Sequence, residues 1–62
     1  MKRMTAKQIE FEAGRIFGAP WKKREKKGTL TEQLRAISEA NPLPKMKQEM
    51  VTYLIDCAGD LS

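Results

Sequence analysis

The sequence predicts an all-α fold: a small three-helix bundle with helices over about 6–17, 30–40 and 45–58, and a basic connection between the first two. Three observations predict it. Apolar residues recur at helical spacing in three segments. A capping signature, Thr followed three residues later by Gln or Glu, precedes two of them, at Thr5 and Thr29. Glycine and proline then punctuate the ends, at Gly18 and Pro20, at Asn41-Pro42 and at Gly59.

In the first segment Ile9, Ala13, Ile16 and Phe17 fall on one helical face, with Gly18 free to take the left-handed conformation that closes a helix. Phe11 points about 160° away from that face, which predicts an exposed aromatic and a candidate surface for self-association or a partner. The second helix is predicted from Leu30, Leu34 and Ile37, ending at Asn41 and Pro42. In "NPLP" each residue before a proline is pushed out of the helical region, and Leu43 between the prolines is expected to plug the core.

The third segment, "KMKQEMVTYLIDCAG", contains a strand-like "VTYLI", but its longer period is helical. Met46, Met50, Tyr53, Leu54, Cys57 and Leu61 share one face; Val51, Ile55 and Ala58 widen the apolar arc to roughly 200°, so this helix must meet two neighbours. Burial is expected for Ile9, Ile16, Phe17, Leu34, Ile37, Met50 and Leu54, with Trp21 as a core anchor and residues 1–4 as a frayed start.

A single domain of 62 residues buries only about 60% of its unfolded surface, so its stability margin is about 3 to 5 kcal/mol. One cysteine, Cys57, closes no intrachain disulfide, and without histidine no zinc site is expected. No cofactor or metal is predicted. No stretch has the length of a membrane span and no secretory leader is evident, which predicts a cytoplasmic setting. Enzymatic function is not expected: phosphate-binding glycine loops and nucleophile elbows do not occur, and the acids sit where helix faces and caps put solvated charge.

Charge distribution carries the strongest functional signal. The net charge is +4, yet Met1 to Gly28 holds nine Lys/Arg against three acids, +6, and Thr29 to Ser62 three against five, −2. The run Lys22, Lys23, Arg24, Lys26 and Lys27 predicts contact with a nucleic-acid phosphate backbone. Gly28 and Thr29 open a helix whose free amides suit an anion, and Lys2, Arg3, Lys7 and Arg15 extend the positive region. The expected function is thus a non-catalytic accessory or regulatory protein that binds nucleic acid electrostatically. The alternative is a protein-interaction module that docks Phe11, or the Val51 and Ile55 side of the last helix, on a protein partner or on a second copy. A helix-turn-helix over the last two helices, with Lys45, Lys47, Gln48 and Thr52 toward a major groove, fits less well, because Glu49 and Asp56 share that exposed arc.

Overall fold

Thr5 stands in extended conformation and its Oγ1 accepts the Gln8 N–H at 3.2 Å, so the first capping signature forms. From it runs α1, Ala6–Phe17, in the computed structural model, which describes residues 4–61. Gly18 ends α1 with φ 71°, and its N–H donates to the Gly14 carbonyl at 2.8 Å. Only glycine takes this dihedral without cost.

The next residues depart from the three-helix expectation. Ala19–Lys22 form a one-turn helix, α2, with Pro20 in its first turn. A proline that cannot continue one helix can begin another, because the first turn has no use for its missing N–H. Four helices rather than three therefore make up the described residues, with no strand among them.

The second capping signature forms like the first: Thr29 Oγ1 accepts the Glu32 N–H at 3.2 Å, and α3 runs Leu30–Ala40. Asn41 closes it by donating Nδ2–H to the Ile37 carbonyl at 3.0 Å. Leu43 packs against the core from the proline-bracketed link. Then α4 spans Lys45–Asp60, two residues beyond the predicted end at 58. Gly59 does not cap it: positive φ occurs only at Gly18 and Gly28 among the described residues, so the chain stays helical through position 59.

Side chains from all four helices make one core: Ile9, Ala13 and Phe17 from α1, Trp21 from α2, Leu34 from α3, and Val51, Leu54, Cys57 and Ala58 from α4. Met4, expected in a frayed start, packs against this cluster, and positions 1–3 lie outside the described residues. Ile16 and Ile37 are only partly buried, and Met50, expected inside, is half exposed. Val51, expected on a partner surface, is 0% exposed.

The differences at Met50 and Val51 have one cause, the rotation of α4. It packs on both α1 and α3. Its apolar arc is wider than two neighbours can cover, so the Val51, Leu54 and Ala58 centre goes inward and the Met46, Met50 and Tyr53 edge stays out. The molecule measures 28 × 26 × 16 Å.

Candidate nucleic-acid interface

The basic run begins on α2 and continues through the 23–29 segment, and one residue fixes the path of both. Arg24 has a side chain only 6% exposed. Its Nε–H donates to Gln33 Oε1 at 2.8 Å, its Nη1–H donates to the Trp21 carbonyl at 2.9 Å, and its Nη2 lies 3.5 Å from Glu10 Oε1. The guanidinium also lies over the Trp21 ring, 3.6 Å from its centroid. A planar, five-donor cation suits this set of partners; a lysine ammonium does not.

Trp21 itself is buried, as expected, and pairs with Phe17 at 6.5 Å between centroids and 24° between planes. With Arg24 over its ring and the core beneath, it has no open face for an unpaired base. Gln33 completes the fastening: while its Oε1 accepts from Arg24, its Nε2–H donates to the Gly28 carbonyl at 3.2 Å. Both ends of the segment are thereby tied to α3.

Two expectations about this region meet groups already engaged within the chain. Arg24 is turned inward as a fastener and offers no free cation to a phosphate. The start of α3 is also already supplied with an anion. Glu32 holds its carboxylate beside Thr29, whose hydroxyl donates to Oε1 at 3.4 Å, and a Cβ placed on Gly28 would meet Glu32 Oε2 at 2.5 Å. Gly28 is required for its φ of 77°. Gly28 and Thr29 are thus covered by the chain's own carboxylate, which repels phosphate.

Lys22, Lys23, Lys26 and Lys27 remain exposed. Lys27 Nζ lies 3.2 Å from Glu25 Oε2, a bridge in which both side chains are open to solvent and which is therefore worth little. Lys7 is exposed on α1, and Arg15, also exposed, pairs with Glu12 at 3.5 Å; Lys2 and Arg3 lie outside the described residues. The Gln48 and Thr52 of the helix-turn-helix alternative are engaged internally: Ser38 Oγ–H donates to Gln48 Oε1 at 3.3 Å, and Thr52 Oγ1–H to the Gln48 carbonyl at 3.0 Å.

The two alternative partner surfaces differ in exposure. Phe11 is 64% exposed, as its position on α1 predicts, Ile55 is partly buried and Val51 lies in the core. Besides Phe11, the exposed large apolar residues lie on α4, at Met46, Met50 and Tyr53, and just past its end at Leu61. Beside Met50 and Tyr53, a groove of about 440 Å³ opens between α1 and α4. The Tyr53 phenol is held above its ordinary range first by its hydrogen bond to the Cys57 side chain, then by that thiol's electrostatic influence and by desolvation. Among the described residues no three His, Cys, Asp or Glu side chains gather as a metal site, and no helix is long and apolar enough to cross a membrane.

Residues missed in the sequence are thus Gln33 and Glu10, which position the basic segment, and Glu32, which fills the anion seat. Gln33 carried a readable signal, since it neighbours Leu30 and Ile37 on the apolar side of α3, where a carboxamide needs partners. In comparisons with protein-family models, curated proteins and solved structures, none matches this chain.

Proposed function

We propose that the protein binds nucleic acid through its phosphate backbone, with Lys22, Lys23, Lys26 and Lys27 as the contacting cations and Lys7 at the periphery. It acts as a non-catalytic accessory protein of the cytoplasm with little base selectivity. One observation supports the reading above all: the four lysines ride on a segment fastened by Arg24 and Gln33 to α1, α2 and α3. A linker that serves only to keep a chain soluble has no need of such fastening. Fixing the backbone in advance lowers the ordering entropy of binding, so that each lysine loses only its own rotamer freedom on meeting a phosphate.

Limited base readout follows from the same region. The outer side of α3 presents Glu32 and Glu39 beside Arg35, a mixed face that attracts no phosphate closely enough to seat the helix in a groove. Affinity then rests on counterion release, with dissociation constants of roughly 10⁻⁴ to 10⁻⁶ M.

The test is fluorescence anisotropy with a labelled duplex over a salt series. Four engaged lysines give a slope of log K against log salt of about −3 to −4. Replacing all four with glutamine abolishes most of that slope, equally on duplexes of unrelated sequence, and leaves the thermal melt unchanged. A folded quadruple variant that binds as tightly as the parent refutes the proposal, as does a parent that fails to bind at low salt.

A further inference from the structure

The exposed apolar residues of α4 form a seam. Met46, Met50 and Tyr53 follow one another at spacings of four and three, and Met50 and Tyr53 join Met4, Ile16 and Leu54 in lining a groove. Glu12 stands on the α1 rim and Glu49 on the α4 rim. Asp56, two turns beyond Glu49 on the same side of α4, continues that rim. A smaller concavity of about 210 Å³ shares Glu12, Ile16 and Met50 with the groove and is closed by Arg15 and Lys47.

We propose that this groove docks a short amphipathic helix of a partner protein, one with lysine or arginine residues flanking its apolar face. The floor supplies the apolar half of the match. Methionine side chains are unbranched and polarizable and adapt to varied apolar knobs, which suits a helix-in-groove contact. The rims supply the other half: Glu49 is open on the α4 wall, and Glu12 on the α1 wall, held at 3.5 Å by the largely exposed Arg15, can exchange that solvent-screened partner for a basic flank. At 1.5 Å per residue, α1 and α4 are about 18 and 24 Å long, so the space between them accepts two to three turns of helix. The cationic end at Arg15 and Lys47 faces the docked helix's C-terminal carbonyls, where positive charge is favourable.

Charge also weighs against other occupants. A second copy seated with the two α4 helices in the same direction sets Glu49, Asp56 and Asp60 against the same three acids; seated in the opposite direction it sets Asp56 and Asp60 near Lys45 and Lys47, an arrangement that the protein-concentration dependence of the test detects. Nucleic acid meets the same repulsion from the rims. Neither objection applies to a basic helix, and this site is separate from the lysines of the proposed phosphate contact.

Two synthetic peptides of about 14 residues test it, both with leucine at the i, i+3, i+4 and i+7 positions of a helix face. One carries lysine at the flanking positions and the other glutamate. In an NMR titration of the isotope-labelled protein, the lysine peptide shifts Met4, Ile16, Met50 and Tyr53 resonances to saturation and binds at least tenfold more tightly than the glutamate peptide. General attraction works the other way, since the whole protein carries +4, so this preference reports the rims alone. Met50→Ala and Glu12→Lys/Glu49→Lys each weaken the lysine peptide at least tenfold while the melting temperature holds. Equal affinity for the two peptides, or no saturable shift at the groove, overturns the proposal. So do groove shifts that grow with protein concentration alone, which make a second copy the occupant.

Discussion

Arg24, a cation, has a side chain only 6% exposed, whereas Met46, an apolar side chain, is 80% exposed. The regions around them have exchanged the places that polarity alone assigns. At the α2–α3 corner a buried charge organises the surface: Arg24 gathers Trp21, Gln33 and Glu10, and the lysines on either side of it are presented outward as a result. Along α4 the reverse holds, since apolar residues in excess of what α1 and α3 can cover are left in water. The difference teaches that function in so small a chain is read from surplus. A fully partnered arginine explains itself as structure, while an uncovered methionine seam and four unburied lysines do not.

Substitutions can break or sharpen this contrast. The largest effect belongs to the apolar centre of α4: Leu54→Ala should cost about 2 to 5 kcal/mol, close to the whole stability of a domain of this size. Circular dichroism melting checks it, and a variant that still melts within a few degrees of the parent places the core elsewhere. Next comes Arg24→Ala, expected to lose about 2 to 3 kcal/mol through its charge-assisted hydrogen bonds and its stacking on Trp21. Arg24→Lys should lose nearly as much, because an ammonium cannot serve three separated acceptors and cover a ring. Urea denaturation followed by Trp21 emission measures both, and a neutral Arg24→Lys would return this residue to the set of surface cations.

A middling effect is expected at the start of α3, where Thr29→Ala removes the acceptor for the Glu32 N–H and should cost about 1 kcal/mol. The smallest belongs to the exposed seam. Met50→Ala should change stability by no more than about 0.5 kcal/mol, despite sitting one residue from the fully buried Val51. If Met50→Ala instead destabilises as strongly as Val51→Ala, α4 is rotated from the orientation described, and the seam is core.

Much of the fold was legible because its signals are local. Thr5 with Gln8 and Thr29 with Glu32 marked the starts of α1 and α3 to the residue, since a cap is decided by neighbours three positions apart. The short α2 escaped because Pro20 reads equally as a stop and as a start. The rotation of α4 escaped because an arc of roughly 200° does not say which part of itself the neighbours will take. The candidate site was legible only in part. Lysines at 22, 23, 26 and 27 are exposed as a charge run predicts, but Arg24 in their midst carries the same charge and counts with them in such a run. Its inward turn depends on Glu10 and Gln33, fourteen residues before it and nine after, and no spacing rule links those three positions.

The way the 23–29 segment is fastened also sets how it moves. Helical backbone is held by a ladder of bonds that must break together. This segment is held chiefly by one guanidinium and one carboxamide, and such tethers release one at a time. Its opening is therefore a local event that costs less than unfolding the domain. Amide hydrogens at Glu25, Lys26 and Lys27 should exchange with solvent well ahead of those in the centres of α1 and α4, which wait for the whole molecule to open. The lysine-bearing surface is thus both defined on average and able to detach briefly, so it can adjust to the spacing of a charged strand while the core beneath stays shut.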